Sequence, residues 1–128
     1  MKPLKSPDLI ASFRNAFTGL GYALRTQRNA RIHLTVTLAI LGVGIWLSLD
    51  RIEWSLILLA IGMVWMAELS NTVLEDVVDL QCPEYNPLAK TAKDVKAAVV
   101  VIASLTAVLV GILVLGPKLA DKIGRLLS

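Results

Sequence analysis

The sequence predicts an all-α membrane protein: three transmembrane helices preceded by an N-terminal amphipathic helix in the interface. Three observations carry this expectation. Residues of the class AVILMFWYC make up 55% of the 128 residues before the 8 glycines are counted, and the mean hydropathy is +0.67. A soluble domain reaches about 45–50% with glycine included, and so few polar residues cannot cover a small soluble fold. Charge-free apolar runs recur three times, and the segment before them carries apolar residues at helical spacing between arginines. One membrane domain over residues 1–128 is expected.

The lead-in is expected to be a surface helix over 6–28. Ser6 is a capping residue, Pro7 suits the first helical position, and Asp8 falls in the first turn. Phe13, Phe17, Leu20 and Leu24 form an apolar stripe flanked by Arg14 and Arg25, the pattern of a helix lying in a membrane interface. Gly19 and Gly21 weaken that helix by roughly 1 kcal/mol each relative to alanine, and suggest close packing or a bend.

The first span is expected over 32–49, a charge-free run of about 18 residues against the ~20 that cross a bilayer. The second is expected over 54–80. It is charge-free only as far as Ala67, so its inner end is polar and continues as a cytoplasmic extension. The third is expected over 94–115, charge-free from Ala97 onward. A tail over 117–128 follows, with Pro117 ending the third helix and Leu119 to Leu127 along the outer leaflet. Gly42, Gly44, Gly62 and Gly111 are read as helix-packing positions. The first apolar run is long and starts far from the N-terminus, which fits a cleaved signal peptide poorly.

Lys2, Lys5, Arg14, Arg25, Arg28 and Arg31 precede the first span, only Arg51 lies in the first loop, and Lys90, Lys93 and Lys96 follow the second span. This asymmetry predicts that the N-terminus and the second loop are cytoplasmic; a multi-pass plasma (inner) membrane location is expected. Lys118, Lys122 and Arg125 then lie outside, against the rule. Trp46 and Trp54 flank the short first loop as interfacial anchors.

Several function classes fall away. The single Cys82 builds no disulfide or multi-cysteine metal site, and one histidine excludes HExxH zinc chemistry. No P-loop motif occurs. The net charge of +3 is spent at the span ends, so no nucleic-acid partner is expected.

The informative stretch is Glu68 to Asp79. With Glu68 at 0° on a helix, Asn71, Thr72, Glu75 and Asp79 fall at about 300°, 40°, 340° and 20°, within one 100° stripe. Glu68 lies about 21 Å along the helix from Trp54, still at membrane depth, and Glu75 and Asp79 lie about 10 and 16 Å beyond it. A carboxylate at depth costs several kcal/mol unless paired, protonated or wet. One retained there is a candidate general base. The outer pair, nearer water, suits a Mg²⁺ that keeps several waters and shares phosphate oxygens. Lys90, Lys93, Asp94 and Lys96 cluster where the third span enters, and Arg25, Arg28 and Arg31 add charge at that level. Carboxylates, an amide and cations gathered beside a buried base suit phosphoryl transfer, which is mostly alignment and charge neutralisation.

At these residues the sequence resembles the prokaryotic diacylglycerol kinase and undecaprenol kinase family. The pattern E-x-x-N-[ST]-x-x-E-x-x-V-D is matched by Glu68, Asn71, Thr72, Glu75, Val78 and Asp79. The pattern E-Y-x-P-L-A-K-x-A-K-D is matched by Glu84 through Asp94. The segments Ser12-Phe13, Ala16-Phe17, Gly19-Leu20 and Arg28 to His33 are also similar, so the resemblance covers roughly residues 8 to 115. It implies a homotrimer with active sites shared between subunits. It also implies transfer of the γ-phosphate of ATP, with Mg²⁺, to the hydroxyl of a membrane lipid, undecaprenol or diacylglycerol. By position, Glu68, Asn71, Lys93 and Asp94 would be catalytic. Arg28, Glu75, Asp79, Lys93 and Asp94 would bind the nucleotide, and Glu75 with Gln27 the metal. The Pro-Leu-Ala-Lys form of the second motif is similar to the Gram-positive branch, which prefers undecaprenol.

One position departs. The family usually has Glu in a T-E-R-N segment; here it reads Thr26-Gln27-Arg28-Asn29. Gln27 keeps an oxygen ligand and loses a charge, so weaker metal or nucleotide affinity is expected. Two alternatives stay open: a catalytically weak or silent homologue, and a small proton or ion transporter using Glu68 as carrier. His33 is read as a snorkelling or capping residue at the start of the first span.

Overall fold

A computed structural model describes residues 8–128. They form four helices: α1 (Leu9–Thr26), α2 (Arg28–Leu47), α3 (Arg51–Gln81) and α4 (Pro87–Leu127). The last three are each long and apolar enough to cross a membrane. The all-α architecture with three candidate spans and a separate N-terminal helix is the one expected.

The start of α1 differs in detail. Ser6 and Pro7 lie outside the described residues. Asp8 is the cap itself, its Oδ1 accepting the amide of Ala11 at 2.7 Å. Such a cap contributes about 1 kcal/mol. Phe13 and Phe17 stay exposed on α1 while Ala23 is buried. The helix breaks at Gln27, whose extended backbone (φ −111°, ψ 117°) separates α1 from α2. Arg31 of α2 reaches back and donates from Nη1 to the carbonyls of Leu24 and Arg25 at 3.0 and 3.1 Å. Those otherwise unpaired carbonyls end α1, so one guanidinium fixes the angle between the two helices.

The α2–α3 turn is tight. Ser48 is left-handed (φ 55°, ψ 57°), its amide donating to Ile45, while the amide of Leu49 donates to Gly44. This is a Schellman stop without the usual glycine. Asp50 and Glu53 then start α3 with a reciprocal capping box, each bond 2.9 Å. Around the turn Leu47, Leu49, Ile57, Val114 and Leu115 form the apolar core, with Trp54 and Leu119 packed on it.

Two expectations about packing are corrected here. Pro117 does not end the third span: α4 continues through it to Leu127. A proline removes one helical hydrogen bond, and contacts with the α2–α3 turn hold the following residues in place. Lys118 Nζ meets Glu53 Oε2 at 2.6 Å and the Ser48 carbonyl at 3.2 Å. Lys122 Nζ donates to the Trp46 carbonyl at 2.7 Å and sits 4.8 Å above its ring. The tail is therefore a docked helical extension and not a separate surface segment. Of the four glycines assigned to packing, Gly44 alone is closely approached: a Cβ there would lie 2.7 Å from the Trp54 ring, whereas one at Gly42, Gly62 or Gly111 would meet nothing within 4 Å.

The closest partnership is between α3 and α4. α4 begins well before the expected span, with Pro87 at its first position and Asn86 accepting the amides of Leu88 and Ala89. At 1.5 Å per residue α4 is about 60 Å long, twice the hydrocarbon thickness. Its first turns therefore run beside the polar end of α3.

Candidate active site

The stripe predicted on α3 is real. Glu68 and Thr72 are buried, Asn71 and Glu75 are half-buried, and Val73, Leu74 and Val77 stay exposed on the rest of the helix. The stripe faces α4, which presents two lysines one turn apart. Lys96, only 9% exposed, donates to Glu75 Oε2 at 2.5 Å and to Asn71 Oδ1 at 3.0 Å. Lys93 lies 3.2 Å from Glu75 Oε1 and 2.5 Å from Asp79 Oδ1. Glu75 is thus held between two ammonium groups. A half-buried carboxylate in that position is oriented by two charge-assisted contacts.

Deeper along the same stripe, Glu68 is 0% exposed, and neither of its oxygens receives a hydrogen bond among the described residues. The nearest cationic candidate is His33 of α2, whose Nε2 lies 3.5 Å from Glu68 Oε2 without hydrogen-bond geometry. One turn along, Trp65 Nε1 donates to Thr37 Oγ1 at 2.9 Å, a second bridge between α2 and α3. Hydrogen bonds between membrane helices contribute about 0.6–2 kcal/mol each. This one fixes the register that sets His33 against Glu68. His33 and Thr37 also line an apolar groove of about 560 Å³ between α2, α3 and α4, walled by residues such as Ile40, Val64, Val108 and Ile112. The lining reaches His33, the neighbour of Glu68, and does not include Glu68 itself; an apolar groove of this kind can receive a lipid chain.

The remaining predicted residues are placed differently. Asp94 pairs with Lys90 on its own helix at 2.8 Å, both side chains well exposed. Arg28 is exposed at the start of α2. Gln27 links α1 to α2 and makes no side-chain capping bond. No group of three or more His, Cys, Asp or Glu is arranged to hold a metal ion among the described residues. The donor set suits an ion arriving on a nucleotide, because Mg²⁺ takes one or two carboxylates and completes its shell with waters and phosphate oxygens.

Three contacts were not read from the sequence. Lys96, and not only Lys93, holds Glu75. His33 is turned to Glu68. Tyr22 of α1 donates to Asp76 Oδ2 at 3.1 Å, and accepting that bond, the Asp76 carboxylate holds the Tyr22 phenol above its ordinary range. The i, i+3 spacing of Lys93 and Lys96 was the available signal for the first. The other two join helices far apart in sequence and carry no local signature.

Residues 14–115 match the family model described as prokaryotic diacylglycerol kinase. The chain belongs to the prokaryotic diacylglycerol kinase family. Relatives within it carry two names. A diacylglycerol kinase of Synechocystis sp. is 42% identical over 125 residues, covering 92% of this chain and 71% of the relative. An undecaprenol kinase of Bacillus subtilis is 39% identical over 108 residues, covering 84% of this chain and 88% of the relative. A diacylglycerol kinase of Escherichia coli is 31% identical over 105 residues, covering 76% and 85%. The match to the prokaryotic diacylglycerol kinase family spans the polar end of α1, the stripe on α3 and the lysines of α4, and stops before the extension that docks on the α2–α3 turn.

Proposed function

We propose that this protein is a membrane lipid kinase that transfers the γ-phosphate of MgATP to the hydroxyl of a membrane lipid, undecaprenol or diacylglycerol. The observation that carries this reading is the fully buried Glu68, on one helix face with a lysine-neutralised Glu75 and Asp79 cluster. The family and the two names its members bear support the lipid kinase activity.

Glu68 is the general base. It takes the hydroxyl proton of a lipid whose chain lies along the apolar groove. Glu75 would hold the Mg²⁺ of MgATP, with Gln27 as a second oxygen donor, and the ion would supply charge neutralisation at the phosphates. Lys93 and Lys96 orient Glu75, and Lys93 leaves Asp79 to contact phosphate. Asn71 positions the transferred group, and Asp94 and Arg28 take part in nucleotide binding at the rim. Little covalent work falls to the protein, since phosphoryl transfer is driven by alignment and charge stabilisation. The active assembly is a homotrimer with sites shared between neighbours. The open faces at Gly42, Gly62 and Gly111 and the exposed Phe13 and Phe17 support a partner surface. The membrane is the plasma (inner) membrane, with the N-terminus and the α3–α4 loop cytoplasmic, where ATP is found.

The test is phosphate transfer from γ-labelled ATP by the purified protein in mixed micelles. Diacylglycerol and undecaprenol are offered separately, with and without Mg²⁺. Mg²⁺-dependent labelling of either lipid, abolished by Glu68→Ala, is expected and identifies the substrate. Labelling of neither lipid overturns the reading. Proton flux without ATP consumption in vesicles would replace it with a carrier.

A further inference from the structure

We infer that His33 is a positioning residue for Glu68: its imidazole engages Oε2, so that Oε1 alone is left to take the proton of the lipid hydroxyl. This rests on Glu68 being the base. Three observations support it. Glu68 is 0% exposed with both oxygens unbonded among the described residues. A buried carboxylate without a partner is strongly disfavoured. His33 Nε2 is 3.5 Å away and the ring is only 19% exposed. A small approach turns this ion-pair distance into a hydrogen bond. The Thr37–Trp65 bond one turn along braces α2 against α3, holding the two residues opposite each other.

Among the described residues, Arg28 is exposed at the start of α2 and the charged groups nearer the stripe are committed elsewhere. On α4, Lys96 serves Glu75 and Asn71, and Lys93 serves Glu75 and Asp79. On α2, Arg31 serves the carbonyls that end α1. On α1, Arg25 donates to the Gly21 carbonyl, and Tyr22 is taken by Asp76 of α3. His33 is therefore the side chain available to Glu68.

The hydroxyl proton passes to Oε1 and the lipid oxygen bonds to the γ-phosphorus. The bond from that phosphorus to the bridging oxygen breaks, and ADP leaves with the electron pair. His33 keeps its own proton on Nε2 throughout, stabilising the carboxylate before transfer and fixing which oxygen accepts.

The full-length protein is assayed in mixed micelles with γ-labelled ATP and both lipids. His33→Leu is expected to lower kcat at least tenfold, with KM for ATP and lipid within twofold of wild type. His33→Gln, which keeps an N–H donor at that place, should recover most of kcat. A readout free of activity and of any change at His33 uses the chain's single histidine. In ¹⁵N-histidine spectra, Glu68→Gln should move the Nε2 signal more than the Nδ1 signal. Wild-type kcat in His33→Leu, or an unmoved Nε2 signal in Glu68→Gln, overturns the inference while an inactive Glu68→Gln leaves the base in place. An active Glu68→Gln removes both.

Discussion

Lys96 reaches from α4 to Glu75 and Asn71 of α3, at 2.5 and 3.0 Å, and is almost wholly buried in doing so. Its ammonium serves two acceptors at once. Removing it leaves Asn71 Oδ1 unpaired and Glu75 with Lys93 alone. Lys96→Met is expected to cost about 1–3 kcal/mol of stability and to lower kinase activity at least tenfold. Lys90→Met breaks only the exposed, same-helix pair with Asp94 and is expected to cost under about 0.5 kcal/mol. Equilibrium unfolding of both variants in mixed micelles checks the contrast.

Glu68 predicts an opposite pairing of effects. Glu68→Gln retains the shape of the side chain and removes the group that accepts the proton. General-base removal lowers rates by roughly 10²–10⁴-fold. Relief of a buried, unbonded carboxylate is expected to leave stability unchanged or higher. Loss of activity together with an undiminished unfolding midpoint is the expected outcome. A destabilised variant would show that Glu68 serves the fold.

How much of this was legible before any coordinates depends on the range of the signal. The stripe from Glu68 to Asp79 was legible because helical periodicity alone fixes which side chains share a face. The three spans were legible for the same local reason. The partners of that stripe were not. Whether Lys93 or Lys96 meets Glu75 depends on the register of α4 against α3, and the meeting of His33 with Glu68 on the register of α2. Pro117 misled because local propensity argues for a stop, while Lys118, Leu119 and Lys122 are held by the distant α2–α3 turn.

Under the proposed function, Gln27 would offer a neutral oxygen to a nucleotide-borne cation where the family resemblance implies a glutamate. Gln27→Glu is expected to lower the Mg²⁺ concentration giving half-maximal activity several-fold, since a carboxylate is the better ligand for this hard ion. Titration of activity with Mg²⁺ at saturating ATP measures it. An unchanged requirement removes Gln27 from the metal's surroundings.

Gly44 and Gly62 separate contacts within one chain from contacts between chains. At Gly44 an added Cβ would lie 2.7 Å from the Trp54 ring and 3.1 Å from Leu49. Gly44→Ala is expected to cost about 1–3 kcal/mol by overpacking. At Gly62 nothing lies within 4 Å, so a lone chain gains roughly 0.5–1 kcal/mol from Gly62→Ala. If a neighbouring copy packs on that face, the same change weakens assembly instead. Unfolding and cross-linking of the two variants distinguish the outcomes.

The far end of the molecule offers a test independent of the active site. Lys118 and Glu53 join the extension of α4 to the first turn of α3, and Glu53 also closes the capping box with Asp50. Glu53→Gln therefore disturbs two interactions and Lys118→Met chiefly one, so the single changes are expected to be unequal, with Glu53→Gln the costlier. Their coupling in a double-mutant cycle should be about 0.5–1 kcal/mol, the range for a partly exposed pair. Because this contact lies at the opposite end of α3 from Glu75, KM for ATP is expected to stay at the wild-type value in all three variants. A coupling near zero would mean that Lys118 is held by the Ser48 carbonyl alone, and a raised KM would mean that α3 transmits strain from its first turn to Glu75.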